Sequence, residues 1–422
     1  MKKFNGLATQ AQCTANARIQ HSMRITHALG RVFLLAWAAW LPAVQAAPYT
    51  PSSDLQVIGT LPFRATDSRA RELAALRAAV AKDITDPQPA VELAQQDFDL
   101  AMARGDPRYV GYANAVVERF TGNMTAPLLV VRGTLRQYRH DFAVALDDYA
   151  AALAMDAELA GAHAWRAAIY LVQARYDLAN NECQALQRLN RTVLHGGCAG
   201  MALAYSGHLD QGYATLQRAL LAAQHDDHRL WLQTRLGEIA AWMGQPARAE
   251  QHFRQAISVG QDDGYLLAAW SDFLLDQRRT AEVVKLLTNW ESSDGLLLRL
   301  TEAESDLKLP GAAAHIQTLA ARFAAAKLRG DSTHRAEEAR FHLRLRGDAK
   351  QAALLAAENY RVQKEPRDAR ISLEAALAAG EANAASEVQQ WLASSRFEDP
   401  RLRALDRQIT LLRPTPPSGG KP

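Results

Sequence analysis

Leu236 to Ile257 reads LGEIAAWMGQPARAEQHFRQAI: a helix-compatible stretch, a break at Gly244, and a second helix-compatible stretch rich in alanine. Gly237 on the first half and Ala249, five past the break, are small. Two antiparallel helices can therefore approach closely there, while Phe253 is left to fill the space toward a neighbouring unit. Working outward in both directions, the same break recurs at Gly105, His140, Ala174, Gly207, Gly244, Arg278, Gly311, Gly347 and Gly380, with spacings of 35, 34, 33, 37, 34, 33, 36 and 33 residues. One copy would say little. Nine breaks in near-register describe a repeating helix–turn–helix unit that cannot bury its own apolar face and must stack on its neighbours.

The period and the residues around each break resemble the tetratricopeptide repeat family. Leu236, Gly237, Ala240, Gly244, Ala249, Phe253 and Ala256 stand at the family's spacing. A second copy, HDFAVALDDYAAAL, supplies Ala145, Tyr149 and Ala152 behind Gly133, and a third supplies Gly200, Gly207, Leu216 and Ala219. Two more centre on Gly347 and Gly380, those at Arg278 and Gly311 are degenerate, and the first, at Gly105, fits loosely. The usual first-helix tyrosine is Ala240 in the best copy, and the closing proline is mostly missing. The resemblance spans roughly residues 90–395. It implies an all-α, right-handed superhelical solenoid of about eight to nine repeats that binds a partner peptide or helix in its concave groove without catalysis.

In that family the first helix of each repeat lines the groove, at positions 13, 10, 6 and 3 before the turn. Those positions nominate Val130, Thr134, Gln137, Trp231, Glu238, Tyr265, Asp272, Phe341, Arg344, Arg370 and Glu374 as groove residues. Aromatic and arginine side chains among charges suit recognition of an extended segment.

The flanks read differently. Val32 to Leu41 is an apolar run of ten behind Arg24, His27 and Arg31, followed by Pro42 and Val44-Gln45-Ala46. These are the n-region, h-region and cleavage site of a secretory signal peptide over residues 1–46, cut after Ala46. Ten residues are half the ~20 needed to span a bilayer as a helix. A start at Met23 would give the signal normal proportions. Residues 47–89 read as an extended leader with a capping helix at 67–82, residues 396–412 as a C-terminal capping helix behind Asp399-Pro400, and 413–422 as a disordered tail. The chain is therefore expected in the periplasm or outside the cell. Five of the 48 basic residues and none of the 45 acidic ones fall in 1–46, leaving 43 against 45. That balance lacks the basic footprint of a nucleic-acid binder.

Cys183 and Cys198 are the cysteines left after cleavage, an even count in an exported chain. Counted from the turns, they lie on adjacent helices of successive repeats. They read as a disulfide, with two buried thiols as the alternative. His225-Asp226-Asp227-His228 groups metal-capable side chains in a connection, with His225 and His228 as weak ligand candidates, and His195-Gly196-Gly197 reads as a turn. No G-x-S-x-G elbow, phosphate loop, G-x-G-x-x-G or H-E-x-x-H occurs, and no cofactor is implied. The competing readings are an envelope accessory protein for a metal or small molecule, an enzyme with a cryptic site on the solenoid, and a scaffold tethered to the membrane by the retained apolar run.

Overall fold

The computed structural model describes residues 51–53, 55–56 and 66–412. The signal-peptide reading of 1–46, the start at Met23, the cut after Ala46 and the tail 413–422 lie outside the described residues. Residues 66–412 belong to the second of two compact units, Ala65–Pro422. No strand occurs among them.

A single helix, α1 (Ser68–Lys82), precedes nine helix pairs. Pair one is α2 (Pro87–Arg104) and α3 (Arg108–Val117), pair two α4 (Ala126–Tyr138) and α5 (Phe142–Met155), pair three α6 (Ala160–Val172) and α7 (Tyr176–Arg188). Pair four is α8 (Thr192–Tyr205) and α9 (Leu209–Ala222), pair five α10 (Asp226–Trp242) and α11 (Pro246–Ser258), pair six α12 (Gly264–Asp276) and α13 (Thr280–Leu287). Pair seven is α14 (Asp294–Asp306) and α15 (Ala312–Leu328), pair eight α16 (Arg335–Phe341) and α17 (Ala349–Tyr360), pair nine α18 (Pro366–Ala379) and α19 (Ser386–Ser395). The last helix, α20 (Pro400–Leu411), is capped by Asp399, whose side chain accepts from the Arg401 amide at 2.7 Å.

Eight of the nine expected breaks are left-handed turn residues, with φ between 56° and 86°. Each lets the chain reverse by closing a bond from the next amide back to the first helix, as in Arg175 N to Tyr170 O at 2.8 Å and Gln245 N to Ala240 O at 2.9 Å. This is the C-terminal helix cap in which an αL residue satisfies the last carbonyls. Gly311 is the exception. Its φ is −67°, and the left-handed residue of pair seven is Lys308 at 55°. The dipeptide Leu309-Pro310 explains the shift, since a proline just beyond a helix end marks the cap before it.

Within the pairs, Gly133 faces Tyr149, Gly200 faces Leu216 and Gly237 faces Phe253, in each case 16 residues on. A Cβ on Gly133 would stand 2.7 Å from the Tyr149 ring, and one on Gly237 3.0 Å from that of Phe253. Tyr149 and Phe253 are fully buried as a result, each burial worth about 1.5–3 kcal/mol.

The His195-Gly196-Gly197 reading as a turn is corrected: all three lie inside α8. A Cβ on Gly196 would meet that of Ala219 at 2.7 Å, and one on Gly197 would meet the Trp231 ring at 2.0 Å. The two glycines make room for α9 and α10 and do not break the helix.

Successive pairs stack, and the stack also meets itself. The turn of pair one abuts pairs six and seven: Gly264 packs under the Met102 carbonyl and Ser293 against Gly105. Pairs three and four meet pairs eight and nine. Lys364 N donates to Val172 O at 2.7 Å, Trp391 Nε1 to Tyr176 Oη at 2.7 Å, and the Gly207 turn lies on the backbone of Ser395 and Arg396. An offset of about five pairs thus brings one turn of the superhelix onto the next.

Candidate functional site on the first helices

The first helices of pairs five to nine share one face, and it is lined by charge. On α10, Arg235 and Glu238 pair at 2.9 Å, and Tyr265 of α12 donates to Glu238 at 2.7 Å. The Arg235 guanidinium sits 4.3 Å from the Tyr265 ring centre and that of Arg367, on α18, sits 5.2 Å from it, both within cation–π range. Arg367 pairs with Glu365 at 2.7 Å, and Tyr205 of α8 donates to Glu365 at 3.2 Å.

Further along, Asp272 of α12 accepts both nitrogens of the Arg299 fork at 2.7 and 2.8 Å and is reached by Arg340 of α16 at 2.6 Å. Arg340 also clasps Glu302 of α14 at 2.6 and 2.8 Å. Burial opposes ionisation of Asp272, and the guanidiniums of Arg299 and Arg340 more than offset it, holding its carboxyl well below the usual carboxylate range. At the end of α12, Asp276 accepts the Arg370 fork at 2.6 and 2.8 Å and is also bonded by Arg401. Arg370 and Arg344 both reach Glu374, at 2.9 and 2.6 Å.

One regularity organises these contacts. Glu238, Asp272, Glu302 and Glu374 each lie six residues before the left-handed turn of their pair, at Gly244, Arg278, Lys308 and Gly380. They form a column of carboxylates across four first helices, each bridged by arginine.

Of the eleven groove residues nominated from the sequence, Glu238, Tyr265, Asp272, Arg344, Arg370 and Glu374 come together on this face. The others do not. Thr134 is buried and bonded to Val130 O and to Tyr149 Oη. Val130 packs with Ala126, Leu129 and Ala152 between pairs two and three. Trp231 fills the space above Gly197. Gln137 lies half-buried on α4, outside the network. Phe341 is 3% exposed and its ring centre is 5.4 Å from that of Phe323. Its position six before Gly347 should face inward, but a π turn at His342–Arg346 intervenes. The extra residue rotates the helix, so Arg340 takes the inward place and Phe341 turns into the core.

Arg235, Arg299, Arg340, Glu302, Asp276, Glu365, Arg367 and Arg401 were missed by the spacing argument. Placing the pair-seven turn at Lys308 would have found Glu302. The arginines follow no single register position: Arg235, Arg299 and Arg340 meet carboxylates of their own or nearby pairs, while Arg367, Arg370 and Arg401 reach pair six from pair nine and beyond.

Cys183 on α7 and Cys198 on α8 are joined as a disulfide, with Cα atoms 5.5 Å apart. His195 lies next to it, its Nδ1 2.9 Å from the Cys183 carbonyl. His225 stands at the N-cap position of α10 without a side-chain capping bond and His228 lies in the first turn, their rings edge to face at 5.9 Å. Among the described residues no three or more His, Cys, Asp or Glu side chains are grouped to hold a metal ion. Nor is any described helix long and apolar enough to cross a membrane.

The paired helices, the left-handed turns and the spacing of 16 residues from a glycine to the large side chain that covers it settle the architecture. The fold is that of the tetratricopeptide repeat proteins. No family model matches the sequence, and no curated protein matches it. Solved structures do. A tetratricopeptide repeat protein from Parabacteroides merdae is 16% identical over 56% of this chain and 86% of its own, with a TM-score of 0.40. A Rap protein in complex with Competence and Sporulation Factor is 14% identical over 82% of this chain and 99% of its own, at 0.42. Yeast Tom70 is 12% identical over 86% of this chain and 70% of its own, at 0.35. Likeness at this level bears on fold alone, so function is argued from the charged face.

Proposed function

We propose that this protein is a non-catalytic scaffold of the cell envelope, exported to the periplasm or beyond after cleavage following Ala46, that holds a segment of a partner protein against the charged face of its first helices. The carboxylate column carries this reading. Glu238, Asp272, Glu302 and Glu374 repeat at one register position, each with an arginine partner and with Tyr265 beside them. A regular ladder of acceptors and guanidinium donors suits an extended backbone and charged side chains of either sign. A bound segment that brings both signs of charge can take over a carboxylate and its arginine together, so that neither is left buried without a partner. The disulfide between α7 and α8 supports an oxidising compartment.

The test is affinity capture from envelope extract with the chain from Ala47, beside a Glu238→Gln, Tyr265→Phe double variant whose melting is checked first. A stoichiometric protein partner retained by the native chain and lost by a folded variant is the expected result. Absence of any partner above background, or equal capture by both chains, would overturn the scaffold reading.

A further inference from the structure

The two places where the superhelix meets itself differ in chemistry. Where pairs eight and nine lie on pairs three to five, the contact is aromatic and buried. Tyr205, Trp242, Trp391 and Phe397 are 3%, 9%, 6% and 0% exposed. Their ring centres follow at 5.8 Å from Tyr205 to Trp242, 5.5 Å on to Phe397 and 5.1 Å on to Trp391. All four belong to one apolar core that runs to Ile409, and among the described residues none before Leu171 is part of it. Where pair one meets pairs six and seven, the ion pair at the seam is half-exposed, although Ser293 is buried. Arg104 and Asp262 pair at 3.1 Å with side chains 36% and 47% exposed, Arg104 lies 5.9 Å from the Trp290 ring centre, and Gly105 and Gly264 bring backbone against Ser293 and the Met102 carbonyl. Pair one has its own anchorage elsewhere: Phe98 stands edge to face with Tyr138 and Trp165, in pairs two and three, at 6.3 and 6.0 Å.

We infer that the superhelix opens along one edge: pair one swings off pairs six and seven while pair nine and α20 stay fixed on pairs three to five. The pair-one seam is then the entrance to the charged face, an inference that rests on that face being the partner site. The physical asymmetry is direct. A half-exposed ion pair contributes about 0–1 kcal/mol and weakens with salt, whereas each buried aromatic of the other seam resists separation by about 3–5 kcal/mol when truncated. Local opening takes the weaker boundary.

Spin-label distances on the full chain with Cys13→Ser and the native disulfide intact test this without any partner. One pair, Met102→Cys with Gln261→Cys, spans the polar seam, and a second, Asp177→Cys with Ala393→Cys, spans the aromatic one. The first pair should show two populations, with the longer distance growing several-fold at high salt and on adding Arg104→Ala. The second should keep one distance throughout. A single distance across the polar seam under every condition overturns the inference, and so does equal spreading across both seams. Failure of the capture experiment would leave these distances unchanged, so the two readings fail separately.

Discussion

Asp368 is the residue at which burial and charge conflict most openly. It is 2% exposed, its carboxylate accepts from Asn359 Nδ2 at 2.9 Å and from the Glu365 amide at 3.3 Å, and it shares its surroundings with Glu365 and Glu337. Burial drives its pKa up, Arg367 opposes, and the two glutamates add, so that it is pushed up to about 7. The folded chain therefore keeps this proton up to about pH 7, while the unfolded chain releases it near 3.8. Stability from this group is full below pH 3.8 and declines as pH rises to about 7, by up to about 1.4 kcal/mol per pH unit. His252 works in the opposite sense. Bonded by Tyr213 Oη and Gln233 Oε1, it is held neutral by burial, with Arg248 adding, down to about pH 4. Its contribution is present above 6.5 and lost as pH falls to about 4. Comparing variants isolates one group. Asp368→Asn keeps the acceptor oxygen and cannot ionise, so it should gain in urea midpoint over the native chain at pH 8 relative to pH 4.5. An offset that does not change with pH would show that Asp368 does not titrate in this window.

At the scale of the element, the helices are cheap to read and their joints are not. The left-handed residues are glycine at five of the nine pair turns and His140, Ala174, Arg278 and Lys308 at the others, where an L side chain costs about 1–2 kcal/mol. Stacking of the pairs outweighs that local preference, so glycine alone does not mark the turn, and at pair seven the turn is Lys308, ahead of Pro310, and not Gly311. The joint between α7 and α8 is reinforced covalently. Cys183 and Cys198 are 1% and 6% exposed and close a loop of 14 intervening residues. Reducing the bond, or replacing both residues by alanine, should lower unfolding free energy by about 3 kcal/mol on the chain-entropy account. Denaturation with and without reductant measures it, and coincident curves would mean that stacking alone holds pairs three and four together.

For residues 66–412 as a whole, the aromatic seam changes what kind of repeat protein this is. An open array behaves as a chain of nearest-neighbour interfaces. Here Trp391 of pair nine donates to Tyr176 of pair three and lies in one core with Tyr205 and Trp242. Trp391→Ala should therefore cost about 3–5 kcal/mol and speed hydrogen exchange in α7, α8 and α10 as well as in α18 to α20. Faster exchange confined to the last pair would return the molecule to the open-array description.

The sequence by itself determined the repeat unit. Small residues at Gly133, Gly200 and Gly237, large ones 16 positions on, and breaks every 33 to 37 residues leave few ways to bury an apolar face other than paired helices in a stack. It also carried six residues of the charged face, because Glu238, Asp272 and Glu374 obey a local register that any helix of this kind repeats. Tertiary structure decided the rest. Whether Trp231 lines a groove or fills the hole over Gly197 is set where neighbouring pairs meet, whether Arg340 or Phe341 faces inward by a π turn, and which arginine meets Asp276 from 94 residues away by the superhelical pitch. That pitch is the sum of small rotations at every joint. No window of one or two repeats contains it, and small differences accumulated over six pairs place Trp391 on Tyr176.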